Sequence, residues 1–336
     1  MRVAREAQPE KREDTDMKYL VVGAGGTGGA MAAYLGKAGK DVTLIARGEH
    51  LAAMRENGLR LRLRTGDGET VAYIPAVRCM SAEEYAASGE TPDVIWLCTK
   101  SYSVESIAPF LNRVAGNAMI IPILNGVRIS QFVRRYVHAG RIIDGSIYIA
   151  AQKDGAGGVL MKSPLFQVTF GAEKGFGPET ITQEAAAEIA ADLTEAGAQI
   201  TVSDDIVRDT VHKLSFTSPT AAVGIYFHDT IGGMQVPGPM RDMAAAMTRE
   251  VQALGEAMGA VYDIDLAEAM LQKADRMLPD ANASLQRDVE AGRENEFETL
   301  IIEPVRIGAT YGLEMPTFRE AIRKIGPTLG FPPEVE

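Results

Sequence analysis

Short hydrophobic runs alternate with segments of helical periodicity from residue 18 to about residue 203. The runs are rich in Val, Ile and Leu, which is typical of strands buried in a parallel sheet. This alternation predicts βαβ units and therefore a doubly wound α/β domain. We expect strands at Lys18–Val22, Asp41–Ile45, Val94–Cys98, Met119–Leu124, Gly145–Ala150, Gly158–Phe170 and Gln199–Val202, and helices at Thr27–Ala38 and Thr180–Ala196.

Two segments interrupt the βαβ pattern. Leu59–Arg64 alternates Leu with Arg, and the residues TGDGE then lead into Val71–Ile74, so we expect an inserted hairpin. The residues KSP at 162–164 are interpreted as a turn within the β-rich stretch that begins at Gly158.

Long helical patterns replace the β-rich runs after Asp204. We therefore divide the chain near 203–206 into a first domain of residues 17–203 and an all-helical second domain of residues 204–336. The helices of the second domain are expected at 205–223, 239–258, 265–277, 283–292, 295–311 and 316–325.

The first sixteen residues carry nine charges and no apolar core. Such a segment cannot bury enough surface to order itself, so we expect a disordered extension, with Met17 as an alternative start. It also lacks the apolar stretch of a secretory signal, and no later run approaches the roughly 20 apolar residues of a spanning helix. These patterns predict a cytoplasmic protein with no membrane partner.

Composition is that of an ordinary globular protein, with 46% hydrophobic and 24% charged residues among 336. The net charge of −11 argues against a nucleic-acid partner, so an anionic ligand must be bound by local cations. Cys79 and Cys98 lie far apart without ligand spacing, and the four histidines show none either. We therefore predict neither a disulfide framework nor a metal site.

A glycine motif follows the first predicted strand. In GAGGTG, Gly23, Gly25 and Gly28 form G-x-G-x-x-G between that strand and the next helix, the context in which the motif binds a dinucleotide. A glycine-rich turn without a ligand is the alternative. The motif predicts a Rossmann-type domain in which the pyrophosphate is bound by Gly23, Ala24, Gly25, Gly26, Thr27 and Gly28.

Arg47 follows the second strand, about 20 residues after the glycine motif. NAD-binding domains place a carboxylate there, whereas an arginine accommodates the 2′-phosphate of NADP. No carboxylate ends this strand, and Glu49 is interpreted as the start of the following helix. The sequence therefore predicts NADPH/NADP⁺ as the cofactor, with a solvated Arg47 as the alternative.

Lys100 and Asn125 follow two later strands of the predicted sheet. Ligands of open α/β sheets collect at the carboxyl ends of the strands, so their shared position predicts a role in binding. Each residue by itself is also compatible with ordinary turn chemistry.

The chain resembles the ketopantoate reductases (2-dehydropantoate 2-reductases) from Met17 to about Ile325. The resemblance rests on GAGGTG, Arg47, CTKSYSV, ILNGV, VHKLSF, SLQRDVEAGRENEFE and YGLEMPT, in this order. It implies a small 2-oxo acid as substrate and NADPH as cofactor. It also implies a helical domain that binds the substrate and through which two copies of the chain can form a homodimer.

The resemblance also implies roles for individual residues. Lys213 would be the catalytic lysine, Asn125 its neighbour beside the nicotinamide and the substrate, and Ser284 and Glu296 substrate ligands. Arg47 and Lys100 would lie on the adenosine-phosphate side. Judged without the resemblance, Glu296 in RENEFE would be a solvated helix face and Ser284 a helix-start residue.

Three positions depart from the family pattern. Thr217 and Ala221 stand where members commonly have asparagines, and Ala281 replaces a further substrate asparagine, with Asn282 next to it. Thr217 is retained as a predicted substrate-binding residue. The departures concern the substrate, because missing polar partners in a pocket change which side chain it accepts.

Lys213 lies in an almost uncharged stretch, since LSFTSPTAAV follows it directly. Partial desolvation lowers the pKa of a lysine from about 10.4 and prepares it to exchange a proton, whereas a lysine that reaches solvent would keep its ordinary pKa. We therefore expect Lys213 to be the general acid. His212 points about 100° away on the same helix and is not the expected base.

These observations predict an NADPH-dependent reductase of 2-dehydropantoate, a step of pantothenate and coenzyme A biosynthesis. A reductase of a different small 2-oxo acid or of an imine is the first alternative. A non-catalytic NADPH-binding sensor is the second.

Overall fold

The computed structural model describes residues 3–4, 17–65, 70–174 and 181–335. By their contacts these residues form two units. The first contains the described residues up to Leu124 and from Ile129 to Ile206, and the second contains Asn125–Arg128 and the described residues from Val207 onward. Most of the expected N-terminal extension, the expected hairpin turn at 66–69 and the expected helix start at 180 lie outside the described residues.

The first unit is built on twelve described strands and six helices. The strands are β1 Val3–Ala4, β2 Lys18–Val22, β3 Asp41–Ile45, β4 Arg60–Arg64, β5 Thr70–Tyr73, β6 Arg78–Met80, β7 Val94–Leu97, β8 Met119–Pro122, β9 Arg141–Ile142, β10 Asp144–Lys153, β11 Gly158–Gly171 and β12 Gln199–Val202. The helices are α1 Gly26–Lys37, α2 Gly48–Asn57, α3 Ala82–Ser88, α4 Val104–Val114, α5 Ile129–Arg134 and α6 Gln183–Glu195.

Six strands form a parallel sheet in the order β6-β3-β2-β7-β8-β9. Numbered along the chain, these strands follow the order 3-2-1-4-5-6, which is the dinucleotide-binding arrangement. Side chains of β2 alternate between two cores: Tyr19 and Val21 pack in one, and Leu20 and Val22 in the other. Both faces of the sheet are therefore covered, and the predicted doubly wound fold is confirmed.

The second sheet contains the predicted hairpin, in which β4 and β5 pair antiparallel. Strand β1 pairs with β5, so Val3–Ala4 belong to a sheet, although we expected the whole extension to be disordered. Strand β11 pairs antiparallel with β10 and parallel with β4 and β12.

The expected turn at KSP is wrong, because β11 continues through Pro164. Its register against β10 shifts between Ile149 and Ala151. Residues 162–166 of β11 lie between the part that pairs with β4 and the part that pairs with β12. Pro164 has no N–H to donate, and this irregular part of the strand requires none.

The second unit is all-helical, as predicted. Its helices are α7 Ile206–Phe227, α8 Ile231–Met234, α9 Pro239–Ala257, α10 Leu266–Asp275, α11 Ser284–Glu290, α12 Glu303–Thr310 and α13 Pro316–Ile325, with a π-helical segment at Glu298–Ile302 directly before α12. The π-helical segment divides the single helix expected at 295–311. Among the described residues, no helix is both long and apolar enough to cross a membrane.

Helix α7 contains Pro219 yet continues for 22 residues. A proline leaves the carbonyl four residues earlier without its helical N–H donor. Here that carbonyl belongs to Ser215, and it shares the Thr248 hydroxyl of α9, at 3.1 Å, with the Ala244 carbonyl of that helix, at 2.9 Å. The neighbouring helix thus satisfies the interrupted turn between Lys213 and Ala221.

Candidate active site

The glycine motif lies where β2 ends and α1 begins. Gly23 has a φ of +107°, which L-residues with side chains rarely adopt. A Cβ atom on Gly28 would lie 1.9 Å from the carbonyl oxygen of Gly23, and one on Gly26 would lie 2.5 Å from the carbonyl oxygen of Ala151. Close backbone packing therefore requires glycine at these positions.

Gly25 differs from these glycines because its surroundings are open. A Cβ atom on Gly25 would meet no described atom within 4 Å. Gly25 is the N-cap of α1, where no described side chain makes a capping hydrogen bond, and the first turn has no acidic residue. The arrangement fits a ligand with a pyrophosphate, which the backbone N–H groups and the positive end of the helix would hold.

Lys100 follows β7, the strand that pairs with β2 at the point where the strand order reverses. The ends of the two strands are in contact, since a Cβ atom on Gly23 would lie 3.0 Å from the carbonyl group of Cys98. Lys100 is half-buried and precedes a short 3₁₀ turn at Ser101–Ser103. This is the edge where doubly wound sheets bind nucleotides.

Arg47 lies two residues beyond the end of the neighbouring strand β3 and is the N-cap of α2. Its side chain is exposed, and Glu49 lies in the first turn of α2, as expected from the sequence. No carboxylate lies between the end of β3 and Arg47, since only Ala46 separates them.

Lys213, Asn125 and Glu296 form a buried polar cluster in the second unit. The ammonium group of Lys213 donates a hydrogen bond of 3.0 Å to Oδ1 of Asn125, and Nδ2 of Asn125 donates one of 3.4 Å to Oε2 of Glu296. Lys213 is 8% exposed and Glu296 3% exposed. The interpretation of Glu296 as a solvated helix face is therefore wrong.

Burial lowers the pKa of Lys213 to about 8. The negative charge of Glu296 opposes this shift, and the positive charge of Lys273 adds to it. A lysine with this pKa holds its proton at neutral pH and releases it readily, which suits a general acid. The neighbouring His212 side chain is exposed.

A cavity of about 130 Å³ opens beside Asn125 in the second unit. Thr217, Ser284, Ala221 and Asn282 line it, whereas Ala281 does not. The backbone carbonyl of Ala281 instead accepts a hydrogen bond of 2.9 Å from the N–H group of Ile231. The structure thus brings predicted substrate-binding residues from α7, α11 and the segment after β8 to one cavity.

Several residues at this site carry no signal in the sequence. Phe216, Ile231, Met277 and Leu300 also line the cavity, but their hydrophobic spacing is that of ordinary core residues. Arg128 follows Asn125 by three residues and is buried, with a φ of +51° and a hydrogen bond of 2.7 Å to the Tyr311 hydroxyl. A positive φ at a non-glycine residue cannot be read from the sequence.

The π-helical segment adjoins this cluster, since it begins two residues after Glu296. The hydroxyl of Ser218, which is fully buried on α7, donates a hydrogen bond to the backbone carbonyl of Leu300 in that segment. Ser218 therefore links the helix that carries Lys213 to the segment that follows Glu296.

Comparisons with known proteins agree with this architecture. The family model described as ketopantoate reductase PanE/ApbA matches residues 19–175, and the model of its C-terminal part matches residues 205–326. The 2-dehydropantoate 2-reductase of Mesorhizobium japonicum is 28% identical over 330 residues, covering 90% of this chain and 94% of that protein. The uncharacterized oxidoreductase YkpB of Bacillus subtilis is 27% identical over 290 residues, covering 84% and 89%.

One solved structure with a similar fold carries a different enzyme name. A D-mandelate dehydrogenase solved with NADH and anilino(oxo)acetate has a TM-score of 0.76 and 20% identity, covering 94% of this chain and all of that one. This likeness concerns the fold. The two family models together span most of the sequence and both structural units, so the chain belongs to the ketopantoate reductase family of oxidoreductases.

Proposed function

We propose that this protein reduces a small 2-oxo acid with NADPH, and that 2-dehydropantoate is the first candidate substrate. The observation that carries the proposal is the buried Lys213–Asn125–Glu296 cluster beside a small cavity. It combines a proton donor with a space for a short acyl group. Family membership supports the oxidoreductase class, and the name of the Mesorhizobium relative supports the substrate.

The cofactor would supply a hydride to the keto carbon of the substrate. The residues that fit it are those of the open glycine loop, with Lys100 at the neighbouring strand end. Arg47 is exposed where a 2′-phosphate is bound in NADP-dependent domains, which supports NADPH over NADH. The mandelate dehydrogenase was solved with NADH, so the preference requires a direct test.

Lys213 would act on the keto oxygen. Negative charge grows on this oxygen as the carbon is reduced, and an ammonium group held against it stabilises that charge most in the transition state. Nζ of Lys213 then transfers its proton to the oxygen and completes the hydroxyl group. Asn125 orients the ammonium group through its 3.0 Å hydrogen bond.

Ser284 and Thr217 are proposed to contact the substrate from the cavity, and Glu296 to act beside Asn125. Residues 17–203 are proposed as the cofactor-binding domain and 204–336 as the substrate-binding domain. Pairing of two copies through the helical domain rests on the family resemblance.

The test is oxidation of NADPH by the purified protein with a panel of 2-oxo acids that includes 2-dehydropantoate. Turnover of any member that depends on Lys213 supports the proposed reaction. NADPH binding without turnover of any 2-oxo acid would instead favour a sensor. Turnover of imines alone would place the protein in a different reaction class on the same scaffold.

A further inference from the structure

The wall of the cavity beside Asn125 is mainly apolar. Its hydrophobic side chains come from α7, α8, α11 with its N-cap, the π-helical segment and the turn after α10. They are Phe216, Ala221, Ile231, Met277, Ala283, Leu285 and Leu300. Asn125 at the edge of this cavity contacts Lys213. A substrate whose keto oxygen meets Lys213 would therefore place its substituent against a hydrophobic wall.

Three hydroxyl groups line the cavity, and the two on α7 are already engaged within that helix, whereas Ser284 is exposed at the start of α11. The Thr217 hydroxyl donates a hydrogen bond of 3.1 Å to the backbone carbonyl of Lys213, and the Thr220 hydroxyl donates one of 2.6 Å to that of Phe216. These donors are thus committed to their own helix. The amide oxygen of Asn282 likewise accepts a hydrogen bond of 3.0 Å from Arg287.

The size of the cavity limits the substituent. A volume of about 130 Å³ compares with the roughly 150 Å³ of an engineered apolar cavity that binds benzene. A branched alkyl group of four carbons or a phenyl ring would fill such a space. Each buried CH₂ group adds about 0.8 kcal/mol of hydrophobic free energy, so filling the space with carbon is favoured.

We propose that this enzyme selects 2-oxo acids with a branched, fully apolar substituent, ahead of those that carry a hydroxyl group on it. This inference rests on the proposed function, because it assumes that the cavity receives the substituent of a 2-oxo acid. A hydroxylated substituent would lose water on entering the part of this wall beyond the exposed Ser284, and there it would find the Thr217 and Thr220 donors occupied.

Two substrates that differ by a single hydroxyl group give the sharpest test. 2-Dehydropantoate and 3,3-dimethyl-2-oxobutanoate share the same carbon skeleton, and only the first has a hydroxyl group at its end. A site built to bind that hydroxyl rejects the analogue without it by about 10⁴-fold, whereas an apolar pocket does not. We expect kcat/KM with NADPH to be at least about 10-fold higher for the analogue without the hydroxyl.

A pair of variants at Ala221 separates polarity from volume. Ala221 is fully buried on the wall, and the asparagine and leucine side chains have the same number of non-hydrogen atoms and a similar branched shape. Both Ala221→Asn and Ala221→Leu reduce the cavity, so both should lower kcat/KM for 3,3-dimethyl-2-oxobutanoate. Ala221→Asn alone adds an amide. The ratio of kcat/KM for 2-dehydropantoate to kcat/KM for 3,3-dimethyl-2-oxobutanoate should therefore be about 10-fold higher in Ala221→Asn than in Ala221→Leu. Circular dichroism and NADPH affinity check that each variant is folded.

The outcomes distinguish this inference from the proposed function. A kcat/KM for 3,3-dimethyl-2-oxobutanoate in the unmodified protein that is less than about 10-fold above that for 2-dehydropantoate, or below it, would overturn the inference and leave the proposed function standing. The absence of turnover with every 2-oxo acid would overturn both. Because the comparison in the unmodified protein is decisive, the inference stays testable even if neither Ala221 variant folds.

Discussion

Glu296 and Lys213 show how burial decides the properties of single residues. Burial lowers the pKa of Lys213 to about 8, and the nearby carboxylate of Glu296 limits this decrease. Two charged groups in such a place must be paired, since an isolated buried charge is costly. Asn125 connects them with two hydrogen bonds, so the charges, the amide and the cavity form one arrangement.

Glu296→Gln should change the pH dependence of the reaction. Removing the negative charge removes an influence that raises the pKa of Lys213, so the decline of activity at alkaline pH should move to lower pH. KM for the 2-oxo acid should rise while NADPH affinity stays nearly unchanged. Steady-state rates across pH and fluorescence titration of NADPH measure these effects.

Ser284→Ala is the matched control for this change. Ser284 lines the cavity and is exposed, and it carries no charge. It should raise KM for the substrate without moving the pH profile. An equal shift of the profile in both variants would contradict the assigned role of Glu296, and a loss of NADPH affinity in either would contradict its placement on the substrate side.

Arg47→Ala should reduce the preference for NADPH. A charge-assisted contact with the 2′-phosphate contributes about 1.5–3 kcal/mol, so the affinity for NADPH should fall roughly 10- to 150-fold, with little change for NADH. Binding titrations with both cofactors provide the measurement. A similar loss for the two cofactors would mean that Arg47 does not meet the 2′-phosphate.

Among the secondary-structure elements, the glycine motif between β2 and α1 contains one glycine required by packing, Gly28, and one placed to bind a ligand, Gly25. Gly28→Ala would bring a Cβ atom to 1.9 Å from a backbone oxygen, so it should destabilise the fold by more than about 3 kcal/mol. Gly25→Ala has open space and a φ of −78°. It should cost about 1 kcal/mol or less as a poorer N-cap, while NADPH affinity falls at least about 10-fold.

Urea unfolding and NADPH titration of the two variants test this separation. The two glycines belong to the same motif, Gly25 as the N-cap of α1 and Gly28 in its first turn, so a general effect of adding a methyl group would change stability equally in both. Undiminished NADPH affinity in Gly25→Ala would show that the pyrophosphate does not approach this part of the loop.

Long elements with a regular pattern could be predicted from the sequence, and short or irregular ones could not. The strand, glycine loop and helix from Lys18 to Lys37 carry consistent local signals, and the structure confirms them. Strand β6 has only three residues, too few to show a period. The continuous β11 and the π-helical segment depend on pairing and packing with distant residues, which local patterns do not contain.

At the scale of the whole molecule, the site depends on contacts between distant parts of the sequence. Lys213 and Asn125 are 88 positions apart, and Asn125 and Glu296 are 171 apart. Sequence patterns placed Asn125 directly after a strand, but its place in the second unit follows from contacts alone. Only the family resemblance connected Glu296 with Lys213, because its local sequence is that of an exposed helix.

The most direct test of the account is the rate of NADPH oxidation by the unmodified protein and by Lys213→Ala, measured across pH with the best 2-oxo acid. The unmodified protein should lose activity as pH rises through about 8, because the lysine then has no proton to give. Lys213→Ala should lower kcat by at least about 10²-fold and lack this decline, while NADPH still binds. If Lys213→Ala keeps more than about a tenth of the original kcat, or shows the same alkaline decline, Lys213 is not the proton donor.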